Sequence, residues 1–387
     1  MRVLIAFDKF KGSLPAVRAC DLAARALKGR HRDWQFDLCP LTDGGDGFAE
    51  ILTQAVSGRR VTVKATGPRG GLVDAGLGLV SRARIPDAAR RWLEPIDRGP
   101  PTEKPVAVVE MAAASGLGLL PEEHRDPWQT TTYGSGQLLR AAAEMNVAAI
   151  LLGVGGSATN DLGLGALSAL GLEFRTADGA VIRPPAPVHW ARITQIKGEV
   201  FSSIPPICIA CDVIHPLLGP QGAATVFGPQ KGLLPGDLPR LESAAGRMAG
   251  LLCDHCGAPR SLLEVSGAGA AGGLSFGLMV GARARLVPGF ELVSAWLGLP
   301  ARIQAADIVV TGEGRFDESS LAGKGPGAVV AQARALGKPC HVFAGALAGA
   351  GTEDARFFHA ITPSGCPFEP ARREAPERLV RSVLEVL

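Results

Sequence analysis

The run 3–8 (VLIAFD) is apolar for the length of a strand and ends in a charged turn. Leu14, Val17, Ala24 and Leu27 then recur at helical spacing up to Gly29. Ser13 is placed to cap that helix and Pro15 fits its first turn. The run 36–41 (FDLCPL) leads through TDGGDG into a second helix expected over 48–56, so the βα pattern repeats and parallel pairing follows. From position 61 the rhythm changes to alternating stretches and turns (VTVKAT, GLVDAGLGLV), then a Pro- and Arg-rich interval over 82–105, then VAVVEM. Helical spacing returns over 134–145 and delivers the chain to a strand over 149–153, followed by GVGGSATND and a helix over 164–170. The segment 182–287 is again irregular. From 306 three strands, ADIVVTGEG, PCHVFAG and HAITPS, alternate with helices.

Six strands of the βα kind are thus expected: two near the start, one in the middle and three near the end. They imply an α/β fold, a doubly wound, mainly parallel sheet of about six strands interrupted by a second, mixed α/β domain. The expected boundaries are 1–58, 128–181 and 288–387 for the first domain and 59–127 with 182–287 for the second, with the active cleft between them. No fixed-period repeat or low-complexity tract is present.

Composition narrows the classes. A chain of 387 residues suits about two domains, and 47% apolar with 20% charged residues argues against disorder. Forty basic against thirty-seven acidic residues leave +3, with no stripe suited to a nucleic-acid backbone. No secretory signal pattern opens the chain and no run approaches the roughly 20 apolar residues of a membrane span, so neither a membrane nor a nucleic acid is expected as partner and the cytoplasm is the expected compartment. The sequence sets no oligomeric state. Two Cys-x-x-Cys pairs, Cys208/Cys211 and Cys253/Cys256, lie too far apart for a zinc ribbon, and Cys208 and Cys211 sit in an alternating strand pattern that turns them to opposite faces.

Two stretches match dinucleotide templates by letter, GVGGSA and GAGAAG (267–272), but neither has the acid ending a second strand about 20 residues on. After GVGG, the tail SATND adds other chemistry. Backbone amides of Gly155, Gly156 and Ser157 at a helix N-terminus can point at phosphate oxygens, with Ser157, Thr159 and Asn160 as short donors. Asp161 can hold a cation or orient a hydroxyl. Capping of the following helix by Thr159 and Asn160 is compatible with that use. DKFKGS puts Asp8, Lys9, Lys11 and Ser13 just past the first strand, where open α/β sheets bind ligands. Lys11 is the candidate for pairing with a carboxylate or phosphate, and Lys9 is equally suited to a solvated surface. TDGGDG sets Asp43 and Asp46 on a glycine-flexible loop, and TGEGRFD brings Glu313, Arg315 and Asp317 to another strand end. Lys324 follows in AGKGP, which fails as a P-loop because Glu318 stands where the first glycine belongs and Gly325 replaces the Ser or Thr. Cations for an anionic substrate, amides for phosphates and carboxylates for Mg²⁺ or a hydroxyl proton are the parts of phosphoryl transfer. His215 is the one histidine near a motif, and no Ser-His-Asp pattern stands out.

In DKFKGSL, TDGGDG, EMAAASGL, TTYGSGQ, GVGGSATND, ACDV, VFGPQKG, GAGAAGGL and TGEGRFD, taken in order over nearly the whole chain, the sequence resembles the bacterial glycerate kinases. The resemblance implies a Rossmann-like part with a second mixed domain, and phosphorylation of D-glycerate by ATP with Mg²⁺, at the 2-position. It implies that glycerate lies among DKFKGS, TDGGDG and TGEGR, its carboxylate on Lys11 or Arg315. Asp43 is then the first choice for the hydroxyl proton, with Asp161 and Asp212 competing. Further substrate contacts are expected at Asp8, Ser13, Asp46 and Asp212, nucleotide or phosphate contacts at Gly155, Gly156, Ser157, Thr159, Asn160, Glu313 and Lys324, and a metal ligand at Asp161. The chain departs from the family's usual Ser at Lys9, Glu at Asp46, Gly at Leu162 and Thr at Ser320, and its Arg-rich interval 82–104 is longer. An NAD-dependent oxidoreductase of a small hydroxy acid and a non-catalytic binder of small anions are the competing readings.

Overall fold

The computed structural model describes residues 1–93, 103–321, 325–349 and 356–387. Contacts divide the chain into two units, Met1–Asp43 with Val293–Leu387, and Gly44–Leu292.

In the first unit five strands pair in parallel in the order Phe358–Ala360, Cys340–Ala344, Ile308–Gly312, Arg2–Phe7, Gln35–Leu38. Numbered along the chain this is 2-1-3-4-5, an order that reverses between Arg2–Phe7 and Ile308–Gly312. Open α/β sheets bind ligands beyond the carboxyl ends of their strands at such a switch point. Val3, Ile5 and Phe7 join Ala19, Ala23 and Leu27 of the helix Ala16–Arg30 and Leu379 and Val383 of the helix Ala375–Val386 in one core. Leu4 and Ala6, alternating with them, are equally sealed from solvent. Burial on both faces is why this strand reads as an unbroken apolar run. The helix Gly325–Ala335 packs on Ile308–Gly312 and Cys340–Ala344.

The second unit holds a six-stranded mixed sheet in the order Arg285–Val287, Ile207–Ala210, Ala149–Gly153, Val106–Glu110, Leu72–Val80, Arg59–Thr66. The first four strands are parallel and the last two antiparallel. Leu77, Val109, Leu152 and Ile209 from these strands share a core with Leu138, Leu252 and Leu274 from helices. No helix among the described residues is long and apolar enough to cross a membrane.

The α/β class with parallel strands is as read from the sequence, but the allocation of strands differs. The strand Ala149–Gly153 lies between Val106–Glu110 and Ile207–Ala210 in the mixed sheet, so the fully parallel sheet has five strands, and residues 44–58 and 128–181 fall in the second unit. Both sheets contain parallel strands buried on two faces, and an apolar run of that kind fits either. Ser13 also departs from expectation. Phe10 and Leu14 exchange backbone hydrogen bonds of 2.8 and 3.0 Å and close the loop FKGSL, Pro15 takes the N-cap position, and the Ser13 hydroxyl donates to the Phe10 carbonyl at 2.9 Å. All eight cysteines are free thiols.

Candidate active site

In the first unit the strand Arg2–Phe7 ends in Asp8 and Lys9, and its neighbour Ile308–Gly312 ends in Glu313. The two loops are tied together, since the Gly314 amide donates to the Lys9 carbonyl at 3.4 Å and the Gly345 amide to the Glu313 carbonyl at 3.1 Å. The result is a group of four carboxyls. Lys9 reaches Asp43 at 3.0 Å and lies 3.8 Å from Asp8, whose Oδ1 accepts the Lys9 amide at 2.6 Å. Arg315 donates to Asp317 at 3.0 Å, and the Asp317 amide donates to the Ser320 hydroxyl at 3.2 Å. Glu313 accepts a hydrogen bond from Ser320 with its carboxylate, while its Oε1 is buried without a partner among the described residues. Burial, reinforced by Asp8, Asp43 and Asp317, holds the Glu313 carboxyl up at about 7 against the pull of Ser320. Lys11 stands exposed at the tip of the closed FKGSL loop.

In the second unit the corresponding edge is built by loop-on-loop packing. The loop TDGGDG rests on the strand end Gly153: the Gly155 amide donates to the Gly44 carbonyl at 2.9 Å, and a Cβ on Gly155 would stand 2.5 Å from the Gly45 Cα. Only glycine permits that approach. The same packing brings the exposed Asp46 against Gly156, with its Oδ1 2.6 Å from where a Cβ would be. Gly156 and Ala158 clip the loop to the segment 115–117, through Leu117 amide to Gly156 carbonyl at 2.7 Å and Ala158 amide to Ser115 carbonyl at 3.0 Å. Gly156 and Ser157 therefore face outward on a fixed loop, whereas the Gly155 amide, expected at a phosphate, is spent on the Gly44 carbonyl.

The tail Thr159, Asn160, Asp161 turns inward instead, and all three are buried. Asp161 accepts hydrogen bonds from the amides of Thr132 at 2.7 Å and of Gly163 and Gly165 at 3.2 Å, and from the hydroxyls of Thr132 at 2.9 Å and Thr131 at 3.3 Å. It thereby occupies the N-terminus of the helix Leu164–Ala169, where a phosphate was expected. Desolvation still outweighs these donors and raises its carboxyl. Lys231, absent from the sequence candidates although its motif VFGPQKG was noted, is also sealed and donates to the Thr159 carbonyl at 2.7 Å. Desolvation pulls its ammonium down to about 7, opposed by Asp161. Below them lies GAGAAGG. Ala271, Gly272 and Gly273 are successive left-handed residues (φ 53°, 65°, 87°), and the Leu162 amide donates to the Gly272 carbonyl at 3.0 Å. A Cβ on Gly272 would sit 1.9 Å from the Thr159 oxygen, so this stretch is a platform for the SATND backbone.

The structure thus separates the expected residues. Asp8, Asp43, Glu313 and Arg315 come together, with Lys9 among them, while Gly156, Ser157 and Asp46 form a second outward group. Thr159, Asn160 and Asp161 are buried, Asp161 among backbone amides and hydroxyls, and the hydroxyl of Ser13 is spent on its own loop. Asp212 binds the Gly289 and Phe290 amides at 2.9 and 2.8 Å, at the start of the helix Gly289–Leu297. His215 is held by the Gln221 carbonyl at 2.9 Å and the edge of Phe227. Lys324 lies outside the described residues. GAGAAG follows the turn Arg260–Leu263 instead of a strand, and the first helix after GVGGSA starts at Leu164, so neither is a dinucleotide fingerprint. Among the described residues no group of three or more histidine, cysteine, aspartate or glutamate side chains is gathered to hold a metal ion. Asp161, the expected Mg²⁺ ligand, has both oxygens on amides and hydroxyls. These residues do not fit a resident Mg²⁺ centre.

Residues 3–387 match the model of the glycerate kinase family. The chain is 37% identical to the glycerate kinase of Halalkalibacterium halodurans over 93% of its own length and 88% of that protein's. It is 33% identical to the glycerate kinase of Bacillus subtilis over 100% and 97% of the two chains, and 34% identical to the glycerate 2-kinase of Escherichia coli over 93% and 88%. Among solved structures, the crystal structure of a protein assigned as glycerate kinase 2 from Salmonella typhimurium LT2 superposes with a TM-score of 0.72 at 34% identity, covering 100% of this chain and 97% of that one.

Proposed function

The chain belongs to the glycerate kinase family, and on that premise we propose that it transfers the γ-phosphoryl group of ATP to the 2-hydroxyl of D-glycerate, releasing ADP and 2-phosphoglycerate in the cytoplasm. It is a kinase that phosphorylates glycerate; the nucleotide, the hydroxyl and the compartment are the reading added here. The observation that carries this reading is the group of carboxyls and cations at the carboxyl ends of the two strands flanking the switch point, Asp8, Lys9, Asp43, Glu313 and Arg315. A small hydroxy acid requires a cation for its carboxylate and a proton acceptor near its hydroxyl, and that set supplies both. The name of the Escherichia coli relative supports the 2-position.

Lys11 and Arg315, both exposed, hold the glycerate carboxylate or the transferring phosphoryl group. The outward amides of Gly156 and Ser157 and the Ser157 hydroxyl act on nucleotide phosphate, and Mg²⁺ arrives as part of the MgATP substrate. In phosphoryl transfer the protein mainly positions groups and stabilises charge, so these donors and cations carry most of the acceleration. The test is incubation with MgATP and D-glycerate, following ADP and identifying the product by phosphorus and carbon NMR. ADP that depends on glycerate, with 2-phosphoglycerate as product, supports the reading. 3-Phosphoglycerate, or ADP release that ignores glycerate, removes it.

A further inference from the structure

We propose that Glu313, and not Asp43, is the catalytic residue that accepts the proton of the glycerate hydroxyl as the phosphoryl group arrives. The inference rests on the kinase reading above and adds a named acceptor to it.

Position is the first argument. Glu313 is the residue immediately after the strand Ile308–Gly312, one of the two strands that flank the switch point, and its backbone is held by the Gly345 amide while the next residue, Gly314, is tied to Lys9. Occupancy is the second. Asp43 carries the Lys9 ammonium at 3.0 Å, Asp8 the Lys9 amide at 2.6 Å and Asp317 the Arg315 guanidinium at 3.0 Å. Among the described residues of this group, Glu313 alone has a carboxyl oxygen that is buried with no hydrogen-bond partner. A buried acceptor without a donor costs stability and calls for an explanation. A substrate hydroxyl donating to Oε1 supplies one. The other candidates are removed by their own bonds, since Asp161 is sealed among five donors and Asp212 holds two amides.

The chemistry balances without a further reactant. The glycerate O–H bond breaks and its proton passes to Glu313 Oε1. The freed oxygen pair forms the new O–P bond, the bond from the γ-phosphorus to the β,γ-bridging oxygen breaks, and that pair leaves on ADP. Glu313 then returns its proton to water. The groups acting on Glu313 are Asp8 from the first strand's end, Asp43 beyond the second, and Asp317 and Ser320 from its own loop and the following helix, with Lys9 paired to Asp43 and Asp8 and Arg315 to Asp317. Burial first, and then the charges of Asp8, Asp43 and Asp317, keep the carboxyl basic enough to take a proton near neutral pH.

The experiment compares wild type, Glu313→Gln and Glu313→Asp in steady-state kinetics from pH 5.5 to 8.5, with melting curves for all three. Wild type is expected to lose kcat on the acid side with an apparent pKa near 7. The Gln variant, of the same shape, should lose roughly 10²-fold in kcat with both KM values within about threefold, and lose the acid limb; the Asp variant should keep the limb. A Gln variant that retains more than a third of wild-type kcat, or keeps the limb, overturns the assignment while leaving the kinase reading intact. Wild type that ignores glycerate overturns both. Should the Gln variant not fold, the limb in wild type and the Asp variant decides: its presence in both supports Glu313, and a flat wild-type profile overturns it.

Discussion

Lys231 is sealed from solvent yet has one hydrogen-bond acceptor, the Thr159 carbonyl, and one opposite charge acting on it, Asp161. Its proton is held less tightly in the folded chain, at about 7, than in the unfolded chain at 10.5. Between those values the unfolded state binds more protons, so this residue's contribution to stability rises with pH above about 7, and the full cost of burying the ammonium is present below it. The difference in stability between wild type and Lys231→Met, measured by urea denaturation, should therefore shift in favour of wild type from pH 7 to pH 9, by up to ~1.4 kcal/mol per unit. A pH-independent difference would mean that Lys231 keeps its proton across this range, and would overturn the loosened ammonium. At the outer edge Lys11 poses the reverse case: it is exposed at a loop tip, so Lys11→Ala should leave melting unchanged while lowering kcat/KM for glycerate at least about tenfold, roughly 1.4 kcal/mol of transition-state stabilisation. Unchanged kinetics would remove Lys11 from the site.

Strand ends were the legible part of the sequence, because an apolar run that stops at Asp8, at Thr42 or at Gly312 announces where a sheet edge begins. Burial within a loop was not legible. SATND reads as five small residues, four of them polar and of equal standing, yet Ser157 faces out while Thr159, Asn160 and Asp161 face in, because the turn 271–273 approaches from more than a hundred residues further along the chain. Separation along the chain, here 72 residues from Thr159, hid Lys231. It also disguised GAGAAG as a nucleotide turn, since glycine serves any close backbone approach equally well. Gly272→Ala tests the platform. A left-handed alanine is already tolerated at Ala271, so the contact of 1.9 Å with the Thr159 oxygen should dominate, for a loss of about 2–4 kcal/mol together with impaired turnover. Gly219→Ala, at φ +91° with nothing within 4 Å, is the control that carries only the backbone cost of about 1 kcal/mol. Equal losses at the two positions would refute the platform.

Across the whole chain, periodicity identified helices and parallel strands but not which sheet each strand joins. Ala149–Gly153 has the same unbroken apolar character as Arg2–Phe7, and only pairing with Val106–Glu110 and Ile207–Ala210 assigns it. The observed division makes Gly44–Leu292 one continuous segment with its own sheet and core, whereas the other unit draws on both ends of the chain. Residues 44–292 expressed alone should then melt cooperatively with an α/β circular dichroism spectrum and show no glycerate-dependent turnover, because Lys11, Glu313 and Arg315 are missing. A non-cooperative, unstructured product would show that this segment is not an independent folding unit.

The parallel sheet assembled from the two chain ends also has a schedule. On the ribosome the apolar strand Arg2–Phe7 is made first, but its central neighbour Ile308–Gly312 emerges only after all of Gly44–Leu292 has been translated, a wait on the order of ten seconds or more. Through that interval VLIAF has only the short strand Gln35–Leu38 to pair with, and its other edge stays open to chaperones and to other nascent chains. A strand made early thus waits for its central neighbour, so ribosome stalling within the inserted segment prolongs the exposure of an aggregation-prone edge.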